Sequence, residues 1–330
     1  MSFSCLMVRR DDDRHVTCGV ETLSTDQLPA GEVLIEVACS SLNYKDALAC
    51  QGHPGVMLQS PHVPGIDAAG IVVESSLADF KQGDEVLVTG YDLGSGHWGG
   101  YSQFVRVPGE WVVPLPKGLS LDMAMRYGTA GFTAAQSVAA IQHAGIEPGA
   151  GEIVVTGATG GVGALSIGIL AKLGYQVAAV TGKPEQEKML CLLGARRILA
   201  REEVDDQSKK PLLRASWAGA IDTVGGNILS TLLRSTEQRG CVTACGLVAG
   251  IELSTSVYPF ILRGVTLAGI DSAHCPRKKR LEMWDRLAGA WQIEGLEELC
   301  RSITLAEVPR MAEAMLAGET FGRILVRPGV

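Results

Sequence analysis

Three glycines spaced three residues apart carry the clearest chemical signal of the sequence. Gly157, Gly160 and Gly163 follow the apolar run 153–156 and precede a stretch of small and apolar residues. A strand that enters such a turn and leaves it as a helix places free backbone amides and the positive end of the helix dipole against a pyrophosphate. The spacing therefore predicts a dinucleotide site, with an incidental glycine-rich turn as the alternative. The residues expected to contact the cofactor here are Thr159, Gly160, Gly161, Val162 and Gly163.

The end of the next predicted strand distinguishes NADPH from NADH. Folds that bind NAD tend to place an Asp or Glu there to hold the ribose 2′-hydroxyl. This sequence has Thr181, Gly182 and Lys183 at that point, so an acid is missing and a cation is present. Thr181 can donate a hydroxyl hydrogen bond, Gly182 lets the backbone approach, and Lys183 supplies charge for a 2′-phosphate. The turn predicts NADPH as the cofactor, with a solvated turn lysine as the alternative for Lys183.

Composition and charge exclude several classes of protein. The 330 residues carry a formal net charge of −7, whereas a general nucleic-acid-binding protein would show a basic domain or stripe. The N-terminal residues lack the apolar core of a signal peptide, and charged residues or glycines interrupt the apolar runs before they could span a membrane. Nine cysteines without a C-x-x-C pair are typical of reduced thiols. We therefore expect a cytoplasmic protein whose partners include neither nucleic acids nor membranes.

The order of the predicted elements supplies the framework for these residues. Short strands separated by Gly and Pro fill the first 125 residues and predict a compact β-rich domain. Strands then alternate with helices, which predicts a doubly wound parallel sheet, and the tail returns to a mixed pattern. The predicted strands cover residues 32–40, 71–74, 85–88, 103–107, 111–113, 152–156, 176–180, 197–200, 220–224, 241–245, 266–270, 303–305 and 323–326. The predicted helices cover residues 124–144, the segment after the glycine turn to about 173, 185–193 and 308–317.

Motifs along nearly the whole chain resemble the medium-chain dehydrogenase/reductase superfamily. They include residues 41–46 (SLNYKD), 64–70 (PGIDAAG), 99–102 (GGYS), 221–225 (IDTVG) and 322–325 (GRIL). Longer strings, such as 128–133 (GTAGFT), resemble its acrylyl-CoA reductase branch, whose members are often named quinone oxidoreductases. The resemblance implies an α/β protein with a GroES-like catalytic domain from residues 1–123 and 298–330. A Rossmann NADP-binding domain would occupy residues 124–297, with the active site in the cleft between the two.

The same motifs argue against a metal. Zinc-dependent relatives carry a Cys early in the chain and a Gly-His-Glu where this chain has residues 65–67 (GID). His53, His62 and His97 are not spaced as a ligand set, and zinc catalysis needs at least three protein ligands. We therefore expect chemistry without a metal ion.

The resemblance also implies a reaction and a catalytic residue. Zinc-free reductases of this superfamily reduce C=C bonds that a carbonyl activates, so a hydride adds to the β carbon and the α carbon needs a proton. A phenol is protonated at neutral pH and suits that task. Tyr44, within residues 41–46, is the candidate. Its role would be proton donation or only contact with the nicotinamide, and a plain structural tyrosine is the alternative.

Further cofactor contacts follow from the resemblance alone. They fall on Arg201, Thr223, Leu247, Ile261, Ser272 and Arg323. Arg201 would lie near the adenosine phosphate, and Arg323 would reach the cofactor from the other domain. The alternatives are core packing for Leu247 and Ile261 and a surface charge for the arginines. The basic run 276–280 could attract CoA phosphates, with a solvated helix start as the alternative.

These expectations combine into one functional prediction. The protein is expected to be an oxidoreductase that uses NADPH to reduce the C=C bond of a short 2-enoyl-CoA, converting acryloyl-CoA to propanoyl-CoA. Its partner would be a small-molecule CoA thioester. A quinone or enone reductase of the same fold and a non-catalytic NADPH-binding protein are the alternatives. Residues 265–270 are expected to pair as edge strands in a homodimer, which would satisfy free backbone groups.

Overall fold

The computed structural model describes residues 1–13 and 15–330. The strands in this part of the chain are β1 (Ser2–Arg10), β2 (Val16–Ser24), β3 (Val33–Ser41), β4 (Asp67–Ser75), β5 (Glu85–Thr89), β6 (Phe104–Val107), β7 (Val113–Pro114), β8 (Glu152–Val155), β9 (Gln176–Val180), β10 (Arg197–Leu199), β11 (Trp217–Asp222), β12 (Thr236–Ala244), β13 (Thr266–Gly269), β14 (Cys300–Thr304) and β15 (Arg323–Arg327). The helices are α1 (Tyr44–Cys50), α2 (Leu121–His143), α3 (Gly161–Lys172), α4 (Glu187–Leu192), α5 (Gly226–Ser235), α6 (Tyr258–Arg263), α7 (Arg277–Ala288) and α8 (Val308–Leu316). Among the described residues, none of these helices has both the length and the apolar content that a membrane crossing requires.

The chain forms two compact units. The first comprises Met1–Thr129, Ala273–Ala288 and Gly295–Val330. The second comprises Ala130–Ser272 and Gly289–Glu294. The first boundary lies close to the predicted one at residue 124. The second differs, because the prediction assigned residues 273–288 to the nucleotide-binding part, whereas they belong to the first unit.

Hydrogen bonds from two arginines explain why residues 273–288 join the first unit. The Arg280 side chain is fully buried, and its guanidinium donates to the carbonyl oxygen of Thr89 at 2.7 Å and lies 4.3 Å from the ring centre of Tyr91. Arg277 donates to two backbone carbonyls of the same unit. Two of the four cations in the basic run are therefore used inside the unit rather than left for CoA phosphates.

A seven-stranded sheet dominates the first unit. Its strand order is β14-β15-β3-β4-β5-β7, and β6 is added beside β3. The hairpin of β1 and β2 forms a separate two-stranded sheet. Strand β15 runs antiparallel to β3 and pairs Leu325 with Ser41. Residues from the two ends of the chain thus build one sheet.

Six parallel strands form the sheet of the second unit. Their order is β10-β9-β8-β11-β12-β13. Counted from β8, this is the strand order of the doubly wound dinucleotide-binding fold, in which the order reverses between β8 and β11. The residues of β8, β9 and β11 are mostly buried, as expected of parallel strands covered on both faces. The predicted doubly wound sheet is confirmed.

Some local predictions differ from the structure. The sequence predicts a strand over residues 111–113, whereas the chain makes a single 3₁₀ turn over Gly109–Trp111 and then the short strand β7. Pro108 fixes φ just before the turn, and Pro114 has no amide to continue a ladder. The elements that have no counterpart in the sequence prediction are β1, β2, α1, α5, α6 and α7.

Candidate functional site

The turn between β8 and α3 has the geometry that dinucleotide binding requires. Gly157 has a φ of +57°, and a β-carbon there would lie 2.2 Å from Oγ1 of Thr223. A β-carbon on Gly163 would lie 2.3 Å from the carbonyl oxygen of Gly157, so both positions require glycine. Gly160 is the N-cap residue of α3. The amides of the first helical turn that follows have no carbonyl partner within the helix and suit a pyrophosphate.

Two cations lie at the end of β9, where the sequence predicts binding of a 2′-phosphate. A β-carbon on Gly182 would lie 2.5 Å from the guanidinium carbon of Arg201, so this guanidinium rests directly on the glycine backbone. The Thr181 hydroxyl accepts a hydrogen bond from the Lys183 amide at 2.9 Å. Burial lowers the pKa of the Lys183 ammonium, and the Arg201 charge adds to this effect against the opposing charge of Glu185. Two positive charges beside a bare backbone suit a phosphate dianion.

Side-chain hydrogen bonds join the ends of β8 and β11. The Thr156 hydroxyl donates to Oδ1 of Asp222 at 2.7 Å and accepts from the Thr223 amide at 3.0 Å. The Thr223 hydroxyl donates to the carbonyl oxygen of Thr156 at 2.9 Å. Asp222 is fully buried, and burial raises the pKa of its carboxyl group. These bonds fix the two strand ends on either side of the point where the strand order reverses.

A pocket opens at these strand ends. The residues that line it are Thr156, Gly157, Thr159, Val180, Thr181, Gly182, Arg201, Val224 and Ile228. The structure therefore brings four predicted cofactor residues together in one pocket: Thr159, Thr181, Gly182 and Arg201. The apolar lining residues Val180, Val224 and Ile228 were missed, because apolar contact leaves no chemical signal in a sequence until the strands are arranged.

The other predicted contacts of the second unit do not line this pocket: Gly160, Gly161, Val162, Gly163, Lys183, Thr223, Leu247, Ile261 and Ser272. Leu247 follows β12 and is 56% exposed, and Ile261 in α6 is 69% exposed. Ser272 is partly buried at the end of the main segment of the unit. The two apolar side chains are thus accessible rather than used in the core. Their contact with a cofactor, like that of Thr223 and Ser272, stays a prediction.

The first unit carries the candidate catalytic residue at the start of α1. Tyr44 is the first residue of this helix and is 39% exposed. The amide of Asn43, the N-cap residue, donates to Oδ2 of Asp46 at 2.9 Å, and the Ile66 amide donates to Oδ1 of Asp46 at 2.8 Å. Burial, together with the charge of Asp67, raises the pKa of Asp46 to about 7. These bonds fix the first turn of α1 and the backbone that carries Tyr44.

A buried network surrounds Asp67 beside this helix. Its carboxylate accepts hydrogen bonds from the Ser41 hydroxyl at 2.5 Å, the Asn43 side-chain amide at 2.7 Å and the Thr129 hydroxyl at 2.6 Å. Arg323, only 3% exposed, donates to Oγ of Ser41 at 2.8 Å and to Oδ1 of Asn43 at 3.2 Å. The guanidinium of Arg323 therefore anchors β15 to the start of α1. Its predicted contact with the cofactor stays a prediction.

Helix α2 bends at Gly128, next to the same network. Gly128 has a φ of 52° and a ψ of −155°, which splits the helix into two segments. A β-carbon there would lie 2.6 Å from Oδ2 of Asp67 and 2.6 Å from Oγ of Ser41. The Thr129 amide donates to both carboxylate oxygens of Asp67 at 3.0 Å. Asp67 thus caps the helical segment after the bend, a position that only glycine at residue 128 allows.

Comparison with known proteins identifies the family. The alcohol dehydrogenase GroES-like domain family matches residues 29–117, and the zinc-binding dehydrogenase family matches residues 161–289. The acrylyl-CoA reductase AcuI of Ruegeria pomeroyi is 45% identical over 98% of this chain and 98% of its own. The chain belongs to the medium-chain dehydrogenase/reductase superfamily. The resemblance that the sequence motifs indicated is confirmed.

Two solved structures of medium-chain dehydrogenases/reductases closely match this chain. The yhdH oxidoreductase of Salmonella enterica, crystallised in complex with NADP, is 46% identical with a TM-score of 0.95 over 98% of this chain and 99% of its own. The yhfP protein of Bacillus subtilis, crystallised with NAD bound, is 43% identical with a TM-score of 0.96 over 99% of each chain. The latter is named a putative quinone oxidoreductase. The GroES-like and Rossmann architecture is confirmed.

The residues of this medium-chain reductase fit a phosphorylated dinucleotide. Glycine at residues 157 and 163 lets the turn pack tightly, and the free amides at the start of α3 can bind a pyrophosphate. Arg201 and Lys183 supply the charge that a 2′-phosphate needs. One matching family is named for zinc, but the residues that the structure describes include no group of three His, Cys, Asp or Glu placed to hold a metal ion.

Proposed function

We propose that this protein uses NADPH to reduce the C=C bond of a short 2-enoyl-CoA, converting acryloyl-CoA to propanoyl-CoA. The observation that carries the proposal is the Arg201 guanidinium on the Gly182 backbone beside Lys183, because this pair of cations can bind a 2′-phosphate that NADH lacks. The 45% identity with AcuI over nearly the whole chain supports the choice of substrate.

Different residues of the chain would bind the cofactor and donate the proton in this reaction. When bound, NADPH supplies a hydride to the β carbon of the enoyl thioester. The first amides of α3 and the cations beside Gly182 hold and orient the cofactor, and fixed orientation contributes much of the rate. Tyr44 donates the proton that the α carbon takes up, since phenols serve as general acids. Its partial exposure and the anchored first turn of α1 support this role.

A quinone or enone reductase is the second candidate. The Bacillus subtilis protein that is named a putative quinone oxidoreductase is 44% identical over 98% of this chain and 98% of its own. That identity is close to the 45% for AcuI, so a direct comparison of the two substrates is the test that separates them. Both reactions add a hydride to an electron-poor conjugated system and would use the same cofactor site.

The decisive experiment compares substrates at saturating NADPH. The kcat/KM for acryloyl-CoA should exceed the kcat/KM for a simple quinone and for a short enone without CoA. A higher kcat/KM for the quinone would overturn the proposed substrate and leave the cofactor site intact. Tight NADPH binding without turnover of any of these compounds would instead indicate a non-catalytic NADPH-binding protein.

We infer further that two copies pair through β13. This strand is at the edge of the six-stranded sheet. Just before it, Val257, Ile261 and Leu262 are 63%, 69% and 55% exposed. Pairing of two such edges would satisfy backbone groups and cover these apolar side chains. Light scattering at micromolar concentration should give the mass of a dimer, and a monomer mass would refute the pairing.

We also propose that the reaction takes place in the cytoplasm. All nine cysteines are free, and free thiols are typical of a reducing compartment. Cell fractionation should recover the NADPH-dependent activity with cytoplasmic marker enzymes. Recovery with a membrane or secreted fraction would contradict this assignment.

A further inference from the structure

Two cysteines of the first unit lie side by side, away from the dinucleotide site. Cys50 is the last residue of α1 and is only 2% exposed. Cys18 lies in β2, is partly buried, and packs against the hydrophobic cluster that contains Cys50. The two thiols lie within hydrogen-bonding reach of each other. The two sulfur atoms are therefore neighbours across a strand and a helix end.

Contacts of nearby residues also place the β1–β2 hairpin beside the end of α1. Val16 and Cys18 are alternate residues of β2 and lie on the same face of this strand. A Cγ atom of Val16 lies 2.7 Å from the position that a β-carbon would take on Gly52, just beyond α1. The Arg10 guanidinium, from the strand paired with β2, donates to the carbonyl oxygen of Gly52 at 2.8 Å. The hairpin thus lies against the carboxyl end of α1 through several contacts.

We propose that Cys18 and Cys50 form a reversible disulfide when the protein meets hydrogen peroxide. In the first step the Cys18 thiolate attacks one peroxide oxygen, the O–O bond breaks, and the departing hydroxide takes a proton to become water. Cys18 is then a sulfenic acid. In the second step the Cys50 sulfur attacks the Cys18 sulfur, the S–S bond forms, and the hydroxyl leaves as water with the Cys50 proton. Two thiols are oxidised and one peroxide is reduced to two waters.

Cys18 suits the first step better than Cys5 or Cys300. The hydrogen bond from Cys50 lowers the pKa of the Cys18 thiol, although burial and the charge of Glu313 oppose this effect. Burial instead raises the pKa of Cys5 to about 12 and that of Cys300 to about 11. A thiol with a lowered pKa and partial exposure is the kind that peroxide oxidises first. The buried Cys50 is placed to resolve the sulfenic acid.

Peptide mapping of the full-length protein tests this proposal. The protein is treated with hydrogen peroxide, its remaining thiols are alkylated, and it is digested without reductant before mass spectrometry. The expected result is a linked peptide pair joined through Cys18 and Cys50, with a loss of two alkylatable thiols that dithiothreitol restores. Cys18→Ser should abolish the link. Cys191→Ser is the control, because this exposed cysteine lies in the other unit and its loss should leave the link unchanged.

A second variant separates the two chemical steps. In Cys50→Ser the hydroxyl keeps a hydrogen-bond donor beside Cys18 but cannot form a disulfide, so the Cys18 sulfenic acid should accumulate and react with dimedone, whereas the native protein should give little dimedone adduct. If this core variant does not fold, the map of the native protein and of Cys18→Ser still decides the matter. The proposal is overturned if both cysteines stay alkylatable after peroxide. It is equally overturned if Cys18 becomes a sulfinic acid while Cys50 remains a thiol.

Discussion

The guanidinium carbon of Arg201 lies 2.5 Å from the point where a β-carbon would stand on Gly182. A cation can occupy that point only because residue 182 has no side chain. Recognition of a 2′-phosphate therefore depends on the absence of a side chain at residue 182 as well as on the positive charges of Arg201 and Lys183. This relationship can be tested without removing any charge from the protein.

Replacing Gly182 with alanine should weaken NADPH selectively. The added β-carbon would displace the Arg201 guanidinium, and loss of a charge-assisted hydrogen bond corresponds to about ten- to one-hundredfold in affinity. The KM for NADPH should rise by this factor, with a much smaller change in the KM for NADH. Gly19→Ala is the matched control, because a β-carbon on Gly19 has no atom within 4 Å. An equal rise for both cofactors in Gly182→Ala would contradict the proposed subsite.

Replacing Lys183 with alanine tests the second cation. The KM for NADPH should rise about tenfold or more, since a hydrogen bond to a charged group contributes about 1.5–3 kcal/mol. The KM for NADH should change little. Lys209→Ala removes an exposed lysine elsewhere on the second unit and should leave both values unchanged. Equal weakening of both cofactors would show that Lys183 does not contact the 2′-phosphate.

Replacing Tyr44 with phenylalanine tests the proton donor. The ring remains and the hydroxyl is lost, so kcat should fall about 10²–10⁴-fold, the range of a positioned acid. The Kd for NADPH, measured by fluorescence titration, should change little because the glycine turn and the cations beside Gly182 are unaffected. Tyr91→Phe is the control, since it removes a phenol hydroxyl of the same unit that contacts the Glu110 carbonyl at 3.5 Å. Turnover of Tyr44→Phe near the native value would leave Tyr44 as a cofactor contact at most.

The buried Asp46 should make stability depend on pH. Its pKa of about 7 in the folded protein lies above the usual value near 4, so the folded state binds more protons than the unfolded state between these values. The free energy of unfolding should therefore fall as the pH rises from about 4 to 7, by at most about 1.4 kcal/mol per pH unit for this group. Asp46→Asn should flatten this slope in urea titrations, whereas the exposed Asp285→Asn should not. The same slope in native and Asp46→Asn proteins would refute the assignment.

Replacing Gly128 with alanine should destabilise the protein by more than backbone strain alone. The β-carbon would meet Asp67 and Ser41 at 2.6 Å, and overpacking costs about 1–3 kcal/mol. Gly145→Ala is the matched control, because Gly145 also has a positive φ but a β-carbon there has no atom within 4 Å. Urea unfolding should show a clearly larger loss for Gly128→Ala. Equal losses of stability in the two variants would show that the hydrogen-bond network around Asp67 accommodates the added methyl group without a further loss of stability.

The sequence predicts the second unit better than the first. Strands β8 and β9 are buried on both faces and therefore appear in the sequence as short apolar runs, which is the signal used to predict them. Strand β2 instead alternates exposed and partly buried residues, with no turn motif to mark its hairpin. Helix α1 has only seven residues, too few for a periodic pattern, and depends on the bond from Asn43 to Asp46.

The candidate site likewise contains some features that the sequence predicts and others that only the structure shows. The glycines of the dinucleotide turn can be predicted from their spacing, because the turn and the helix start that follow the strand are local features of the chain. The hydrogen bond between Thr156 and Asp222 joins residues that are 66 positions apart in the chain. No local sequence pattern predicts this contact. Arg323 was assigned from family resemblance, and only the structure places its guanidinium among Ser41, Asn43 and the backbone of the first unit.

The hydrogen bond from Arg323 to Asn43 joins residues that are 280 positions apart in the chain. During synthesis the second unit can therefore be completed before the first, although the first unit begins earlier in the chain. The second unit has all its residues once Glu294 has been added to the growing chain. Strand β3 emerges from the ribosome much earlier but must wait for β15 before its sheet is finished. A nonsense codon after residue 294 and before residue 323 would therefore yield a truncated product that retains a whole nucleotide-binding unit and a first unit open along β3.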